Sequence, residues 1–498
     1  MSQIIGKFSA VSYAFQATAP AQNWIGGEWQ DAAAGETLEV LNPRYGRAMS
    51  QVPMSGAQDV DRAVQAASAA FESWRETPMR ERAQVLYRLR SLMEAEREAL
   101  AWLISHENGK VYGQALAEVD KAIECVEFGC SLPNMAAGAQ LDVSRGVSCQ
   151  LIHEPLGVVA GVTPFNFPLM VPLWMLPQAL VGGNCFVLKP SEQVPLSMLR
   201  LAELFVEAGL PTGVFNLVHG GKATVEALCD HPGIKALAFV GSTAVGRSVY
   251  GRACTAGKRA LCLGGAKNHL IVVPDADVEL TAENVVASFT GCSGQRCMAA
   301  ANLVAVGDVD HIVAAIVERA AKLVPGTDHG ALTNAASIER ITGYIEGAQR
   351  AGATVLVDGR GKQGDEGGFW MGATVLDHVA PGSPAASDEI FGPVLSIVRV
   401  PTLEAAIALE NASPYGNASS VYTTSGHVAR EVMSRVEAGM CGVNVGVPVP
   451  REPFGFGGWN DSLFGHGNIT GWDGFRFWTR PRKVTTKWAL QKDTTWMS

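Results

Sequence analysis

Short apolar runs alternate with longer helix-like segments through the middle of this 498-residue chain. Strands that alternate with helices are typical of βαβ units, which build a parallel sheet and place a dinucleotide or phosphate site at the carboxyl ends of its strands. The pattern therefore predicts an α/β fold with a cofactor-binding domain in the middle of the chain. The four runs are Val158–Val162, Cys185–Leu188, Val214–Val218 and Ala236–Val240.

A second α/β series follows from about residue 265, and residues 59–130, which precede both series, have the apolar periodicity of helices. We therefore expect a helical segment and then two α/β domains. The apolar runs of the second series are Leu270–Val273, Leu303–Val306, Val394–Val398 and Ser419–Tyr422.

Residues 141–155 alternate polar and apolar side chains and turn at Arg145–Gly146, as a protruding β-hairpin would. The strands of such a hairpin have open edges unless a partner covers them. The segment therefore predicts a hairpin whose edges need a partner.

Charge and cysteine content exclude several classes of protein. The chain has 39 basic and 48 acidic residues, a net charge of −9, and no long run of like charges. Nothing in it therefore indicates a nucleic-acid site or a polybasic membrane patch. The 10 cysteines include no CxxC pair and no Cys/His cluster at metal-ligand spacing, so we predict neither a disulfide framework nor a metal site.

The longest apolar run, residues 167–181, contains Pro168, Pro172 and Pro177, which argues against a membrane span. Residues 1–20 lack the basic segment and apolar core of a signal peptide. We expect a cytoplasmic protein. The alternative is an organelle matrix, if a transit peptide has been removed.

A phosphate site is expected where an apolar strand ends and a helix begins, at Phe239–Gly246, with Gly241 and Ser242 as candidate ligands. Free N–H groups and the helix dipole favour an anion there. By itself the Gly-Ser-Thr-x-x-Gly pattern also fits an ordinary helix start, because it lacks the middle glycine of the dinucleotide fingerprint.

Lys189 and Glu192 follow the preceding strand and supply a cation and a carboxylate. A carboxylate accepts hydrogen bonds from ribose hydroxyls and repels a 2′-phosphate. Glu192 therefore favours NAD over NADP.

Four runs stand out as motifs: Thr163–Pro168, Gly265–His269, Gly294–Ala299 and Trp478–Thr486. They resemble the aldehyde dehydrogenase family, and most specifically its methylmalonate semialdehyde dehydrogenase branch. The resemblance extends from about Trp24 to Trp488 and implies an aldehyde dehydrogenase fold. Its domains would be a Rossmann-like NAD-binding domain (1–131 and 152–262), an α/β catalytic domain (263–460) and oligomerisation segments (132–151 and 461–498).

In this family the hairpin and a C-terminal strand, here near residues 482–488, pair across a subunit interface. The resemblance thus implies a homodimer or homotetramer.

The resemblance also implies the roles of the site residues. Cys297 would attack the aldehyde as a thiolate, and Asn166 with the backbone N–H of Cys297 would stabilise the resulting oxyanion. Taken alone, Asn166 fits a turn residue and Glu389 a solvated loop acid. Cys262 and Cys292 are the competing thiols, and we expect both to be buried apolar cysteines. The implied cofactor residues are Thr163, Phe165, Lys189, Glu192, Gly241, Ser242, Glu389 and Phe391.

One expected residue is absent. The wider family has a glutamate in a Leu-Glu-Leu-Gly-Gly-Lys run that activates the water for thioester hydrolysis, and alignment of the lysines puts Leu263 at its position. Leucine cannot accept a proton. A thioester on Cys297 would need another acceptor, and the branch that this sequence resembles uses coenzyme A.

The branch binds the carboxylate of its substrate with two arginines. Arg296 matches the first, but Lys121 stands at the position of the second. Lysine keeps the charge and loses the bidentate geometry. Lys121 also fits a solvated helix lysine, which leaves the exact substrate open.

Together these features predict NAD-dependent, coenzyme A-acylating oxidation of methylmalonate or malonate semialdehyde to propionyl-CoA or acetyl-CoA, with loss of CO2. One alternative is a coenzyme A-independent dehydrogenase that acts on another short aldehyde or semialdehyde. The other is a non-catalytic binding or structural protein with the same fold.

Overall fold

The computed structural model of the chain describes residues 10–136, 138–364 and 367–488. The α-helices are α1 (Ala57–Trp74), α2 (Met79–Ala95), α3 (Arg97–Asn108), α4 (Tyr112–Met135), α5 (Met170–Val181), α6 (Leu196–Glu207), α7 (Lys222–Asp230), α8 (Thr243–Thr255), α9 (Val278–Thr290), α10 (Asp310–Ala321), α11 (Ala335–Arg350), α12 (Pro384–Ser387), α13 (Leu403–Asn411), α14 (Gly426–Met433) and α15 (Gly471–Trp478). A 3-10 turn covers Gly291–Gly294.

The β-strands of the described residues are β1 (Asn23–Ile25), β2 (Glu28–Gln30), β3 (Thr37–Asn42), β4 (Arg47–Pro53), β5 (Ala139–Ser144), β6 (Val147–Pro155), β7 (Val158–Val162), β8 (Cys185–Lys189), β9 (Phe215–Leu217), β10 (Ile234–Val240), β11 (Arg259–Leu263), β12 (Asn268–Val272), β13 (Ala300–Val306), β14 (Thr354–Val357), β15 (Thr374–Asp377), β16 (Val394–Val400), β17 (Tyr415–Gly416), β18 (Ala418–Tyr422), β19 (Met440–Val443), β20 (Trp459–Asn460), β21 (Leu463–Phe464) and β22 (Thr479–Lys487).

Eight strands form the first sheet, in the order β2-β1-β9-β8-β7-β10-β11-β21. Its five central strands run parallel to one another; they are β9, β8, β7, β10 and β11 in the order of the sheet. The four predicted runs form β7, β8, β9 and β10, and each is followed by a helix, α5 to α8. The predicted βαβ organisation of the middle of the chain is confirmed.

The second sheet has seven strands, in the order β14-β15-β16-β13-β12-β18-β19. The runs of the second series form β12, β13, β16 and β18, which are parallel neighbours. The helical segment before the first sheet folds as α1 to α4, as predicted.

Helix α5 explains the longest apolar run of the chain. All of its residues from Val171 to Val181 are buried, and a helix that is apolar all round belongs inside a protein core. At 12 residues it is also shorter than a membrane span requires. Among the residues that the structure describes, no helix combines the length and the apolar character needed to cross a membrane.

The predicted hairpin is confirmed as β5 and β6, joined at Arg145–Gly146. Strand β22 pairs with β6 along its whole length, from Thr479 opposite Pro155 to Lys487 opposite Val147. Both strands belong to one chain, so the implied pairing of these two segments across a subunit interface was wrong. Every residue of β5 is exposed, and the contact of this sheet with another chain stays a prediction.

The predicted domain boundaries also stay predictions. The boundary between 262 and 263 falls inside β11, and β21, in the expected oligomerisation segment 461–498, joins the first sheet instead. Residues 1–9, 137, 365–366 and 489–498 of these ranges lie outside the described residues.

Candidate active site

A cavity of about 820 Å³ opens at the carboxyl ends of β7, β8 and β10 and reaches the second sheet's domain. Ten of the twelve predicted site residues line it, and Arg296 and Lys121 do not. The ten are Thr163, Phe165, Asn166, Lys189, Glu192, Gly241, Ser242, Cys297, Glu389 and Phe391.

The loop before Cys297 has an unusual backbone. Cys292 and Ser293 have φ values of 51° and 55°, and Gly294 follows with 72°. Left-handed conformations are costly for residues with a β-carbon and persist only when their surroundings hold them. A β-carbon on Gly294 would lie 2.0 Å from the carbonyl oxygen of Gly392, so only glycine allows this approach.

Hydrogen bonds with two other parts of the chain, α4 and residues 330–333, hold this loop. The backbone N–H of Cys292 donates to Oε1 of Gln114 on α4 at 3.1 Å. The hydroxyl of Ser293 donates to the carbonyl of Gly330 at 2.5 Å. Gln295 accepts from the N–H of Thr333 at 3.0 Å. The strained loop is therefore fixed before it reaches Cys297.

Two asparagines fix the carbonyl of Cys297. Nδ2 of Asn268 donates to it at 2.8 Å, and Nδ2 of Asn417 donates to it at 2.9 Å. Asn268 belongs to the Gly-Ala-Lys-Asn-His run, one of the four that carry the family resemblance, although the resemblance implied no role for Asn268. Asn417 lies outside every motif, so no sequence signal could have found it.

The Cys297 thiol is protonated at neutral pH in this structure. Burial raises its pKa to about 12, and the nearby Glu389 carboxylate acts in the same direction. Arg296 and the N–H groups of Cys297 and Met298 act to lower the pKa and do not prevail. Formation of the reactive thiolate therefore needs a further change at the site. Cys262 and Cys292 are buried, as expected.

The Asn166 side chain lines the cavity and is held by the nucleophile loop. Its Nδ2 donates to the carbonyl of Gln295 at 2.9 Å. A primary amide has two N–H hydrogens, so one is left for a developing oxyanion. The side chain is only 5% exposed, which protects such a hydrogen bond from water.

A buried ion pair that the sequence analysis missed orients this segment. Nζ of Lys110 lies 2.6 Å from Oε2 of Glu118, and both side chains are almost fully buried. The same ammonium donates to the backbone carbonyl of Asn166 at 2.8 Å. Glu118 also accepts from the N–H of Leu169 at the start of α5. The pair thus holds the carbonyl of Asn166 and the start of α5, which follows it.

The far end of the cavity has the features expected of an adenosine site. Lys189 and Glu192 form an ion pair of 2.7 Å at the end of β8. Ser242 precedes α8 and its side chain does not cap the helix. The buried hydroxyl of Thr163 has no hydrogen-bond partner among the described residues.

Glu389 lies between the two ends of the cavity. Its carboxylate accepts from the N–H of Ala266 at 2.9 Å, and burial raises its pKa to about 7. A β-carbon on Gly265 would lie 2.4 Å from Oε2 of Glu389, which explains a glycine there. The ring of Phe391 contacts the ring of Phe165 edge-to-face, with centroids 5.9 Å apart.

No carboxylate occupies the position of the family glutamate. Leu263 ends β11 and is 3% exposed, and the next residues, Gly264 and Gly265, line the cavity. The family run can also be aligned by its two glycines instead of by its lysine. This alignment places Cys262, rather than Leu263, at the position of the family glutamate. Burial keeps the pKa of the Cys262 thiol well above its usual range. Neither alignment supplies a base.

Arg296 points its guanidinium toward the end of α9. Nη2 donates to the carbonyls of Ala287 and Ser288, each at 2.8 Å. The buried Nε has no partner, and among the described residues no carboxylate forms an ion pair with this arginine. Its charge is therefore not balanced by an acid.

The positive charge of Lys121, in contrast, is balanced by two carboxylates. Its Nζ lies 2.9 Å from Oε2 of Glu452 and 3.1 Å from Oε2 of Glu124. Burial acts to lower the pKa of Lys121, but the neighbouring Cys125 and these two carboxylates act to raise it and prevail. No sequence signal pointed to Glu452, which is 331 positions away.

The profile of the aldehyde dehydrogenase family matches residues 29–484. The chain is 44% identical to malonate-semialdehyde dehydrogenase 2 of Geobacillus kaustophilus (strain HTA426), over 94% of this chain and 98% of that protein. It is also 44% identical to a malonate-semialdehyde dehydrogenase of Pseudomonas aeruginosa, over 91% of this chain and 94% of that protein.

Two solved structures are similar in both sequence and fold. One is a crystal structure of a proposed methylmalonate-semialdehyde dehydrogenase from Sinorhizobium meliloti 1021 complexed with NAD, with a TM-score of 0.93, 38% identity, and coverage of 96% of this chain and 99% of that one. The other is methylmalonate-semialdehyde dehydrogenase from Oceanimonas doudoroffii, with a TM-score of 0.93, 41% identity, and coverage of 95% and 99%.

The chain belongs to the aldehyde dehydrogenase family, as the sequence motifs predicted. Within that family it is similar to enzymes named for malonate and methylmalonate semialdehyde. Membership of an enzyme family and the assembled cavity argue against the non-catalytic alternative.

Proposed function

We propose that this protein oxidises malonate or methylmalonate semialdehyde with NAD and coenzyme A, forming acetyl-CoA or propionyl-CoA and CO2. The observation that carries the proposal is a cavity that brings Cys297 and Asn166 together, with no carboxylate at 262 or 263 to activate water. The names of the relatives support the choice of semialdehyde. An assay of NADH formation from malonate semialdehyde and from propanal, each with and without coenzyme A, tests it.

The cavity residues fit NAD. The unpartnered Thr163 hydroxyl and the uncapped start of α8 at Ser242 offer hydrogen-bond donors for an anionic ligand. Glu192 would accept hydrogen bonds from the ribose hydroxyls. Its side chain is 28% exposed to solvent, and the ion pair with Lys189 orients it. Glu389 and Phe391 would hold the nicotinamide end. NAD, when bound, supplies the hydride acceptor.

We expect NAD to be preferred over NADP by at least about tenfold in kcat/KM, because the 2′-phosphate would meet the Glu192 carboxylate. The measurement compares both cofactors with the unmodified protein and with Glu192→Gln, which keeps the size of the side chain. The preference should shrink in the variant. Equal use of both cofactors by the unmodified protein would remove Glu192 from this role.

The proposed chemistry begins at the thiol. The Cys297 thiolate attacks the aldehyde carbon, forming a C–S bond, while the carbonyl oxygen becomes an oxyanion. The free N–H of the Asn166 amide and the backbone N–H of Cys297 stabilise that oxygen. Loss of hydride from the same carbon leaves a thioester on Cys297.

The thioester accounts for both the proposed use of coenzyme A and the proposed loss of CO2. In malonate semialdehyde the carboxylate is β to the thioester carbonyl, which accepts the electron pair of the breaking C–C bond. The resulting enolate takes up a proton. Attack by the coenzyme A thiolate on the carbonyl then breaks the bond to Cys297, giving the acyl-CoA and restoring the thiolate.

Arg296 is the proposed primary cation for the substrate carboxylate, because its charge is not balanced by an acid and it adjoins the nucleophile. We expect Arg296→Leu to lower kcat/KM for malonate semialdehyde by about ten- to a hundredfold, since a charged hydrogen bond contributes roughly 1.5–3 kcal/mol.

Propanal is the matched control for this variant. Arg296 also lowers the pKa of the Cys297 thiol, so its loss should slow both substrates, and only the additional loss for malonate semialdehyde reports carboxylate binding. Equal losses would assign Arg296 to the thiol alone. Lys121 is proposed as an auxiliary cation whose contribution is small because two carboxylates already balance it.

A hydrolytic enzyme for another short aldehyde is the second candidate, and one observation favours it. Glu389 lines the cavity with Cys297 and has a pKa of about 7, which suits a general base. Turnover without coenzyme A that is lost in Glu389→Gln would support this route. We further propose a cytoplasmic homodimer or homotetramer, for which the exposed strand β5 is the supporting observation.

A further inference from the structure

One face of α4 contacts the nucleophile loop and the start of α5, two segments next to the active-site cavity. Gln114, Glu118, Lys121 and Cys125 follow at helical spacing and therefore share that face. Gln114 holds the nucleophile loop, and Glu118 holds the start of α5. Lys121 lies one helical turn beyond Glu118, which is about 4.5 Å along the axis.

The segment that carries Glu452 borders the same end of the cavity. Four residues after it, Phe456 packs on Trp174 with ring centroids 4.4 Å apart, and Trp174 lines the cavity. Six residues before it, the carbonyl of Gly446 accepts from the hydroxyl of Ser288. The carbonyl of Ser288 in turn accepts from Arg296. Glu452 thus lies on a segment that connects the surroundings of Arg296 with the cavity wall.

Glu452 and Lys121 form a mostly buried ion pair. Their side chains are 10% and 18% exposed, and their charged atoms are 2.9 Å apart. Glu124 also contacts Lys121, but it is 36% exposed and is shared with Arg451 at 2.9 Å. The buried carboxylate is therefore the stronger partner, because its interaction with Lys121 is less screened by water.

We propose that Glu452 is a specificity-determining residue that limits the preference of this enzyme for aldehydes with a carboxylate, by occupying the Lys121 ammonium. This inference rests on the proposed function. A substrate carboxylate that approached Lys121 would have to displace Glu452 or remain beside a like charge. The site therefore relies mainly on Arg296 for the carboxylate, with little help from Lys121, and it accepts uncharged short aldehydes alongside semialdehydes.

Glu452→Gln tests the inference, because glutamine keeps the size and removes the charge. The readout is the ratio of kcat/KM for malonate semialdehyde to that for propanal. We expect the ratio to rise about tenfold as Lys121 becomes available to the substrate. Thermal unfolding of each variant monitors folding, and Glu452→Met serves if the glutamine variant is unfolded.

A double-mutant cycle assigns the effect to Lys121. Lys121→Met alone should change the ratio less than about twofold, since its charge is already compensated, and it should abolish the rise when combined with Glu452→Gln. Glu124→Gln is the matched control, which removes the more exposed carboxylate and should raise the ratio less than about threefold. An unchanged ratio in Glu452→Gln, or the same rise without Lys121, overturns the proposal.

A binding measurement separates this inference from the proposed function. The alcohol analogue 3-hydroxypropionate keeps the carboxylate and cannot be oxidised as an aldehyde, so its inhibition of propanal oxidation reports carboxylate binding directly. We expect its inhibition constant to fall about tenfold in Glu452→Gln. If the unmodified protein oxidises propanal and not malonate semialdehyde, the proposed function fails, and the inhibition constant still decides the role of Glu452. An inhibition constant unchanged by the substitution overturns that role.

Discussion

Replacement of Cys297 by alanine is expected to lower NADH formation from every aldehyde by on the order of 10⁴-fold or more. Alanine cannot form the C–S bond, and the competing thiols of Cys262 and Cys292 are buried. The dinucleotide should still bind, because Ser242, Lys189 and Glu192 lie at the other end of the cavity.

Two measurements check this prediction. Single-turnover mixing of the Cys297→Ala protein with NAD and propanal should give no burst of NADH, and a fluorescence titration should give an unchanged Kd for NAD. Cys441→Ser is a matched control, since Cys441 is an exposed thiol on β19. A burst of NADH equal in amount to the Cys297→Ala protein in the reaction would show that another group is the nucleophile.

The fold could be predicted from the sequence because the central strands of the sheet are buried along their length. Strands β7 and β8 lie in the middle of a parallel sheet and are buried at every residue. Parallel strands covered on both faces need near-continuous apolar runs. Such runs, separated by helical segments, leave few other arrangements, so the pattern sufficed without any long-range information.

The lining of the cavity was predictable for a related reason. Its motifs stand where strands end and helices begin, and in parallel sheets these points converge at one edge. Thr163, Lys189 and Gly241 stand at the carboxyl ends of three neighbouring strands, so their proximity is a consequence of strand order. Local sequence was enough to name them.

Residues that act through distant partners could not be predicted. In the sequence, Lys110 and Glu118 are ordinary charged residues at and near the start of a helix. Only the folded chain pairs them and places the carbonyl of Asn166 within hydrogen-bond distance of Lys110. The pairing of Lys121 with Glu452 depends on how a late segment returns to α4. Residue type and spacing give the charge of a side chain, but they do not give the partner that balances it.

The absent carboxylate at 262–263 determines how each catalytic cycle ends. General-base assistance typically contributes about 10²- to 10⁴-fold, so omission of coenzyme A should lower steady-state turnover by about that factor. The steps that form the thioester do not use the missing base. The unmodified protein should therefore still give a burst of one NADH per active site without coenzyme A, followed by a slow rate.

Rapid mixing with and without coenzyme A measures both phases, and mass spectrometry of the quenched protein should detect the acyl group on Cys297 only when the thiol is withheld. Glu389→Gln separates the remaining sources of the slow rate. If the slow phase persists in that variant, water reacts with the thioester unaided, and if it disappears, Glu389 is the base. A fast steady state without any thiol, as rapid as the burst, would contradict the acyl-transfer assignment, because the thioester would then hydrolyse as readily as it forms.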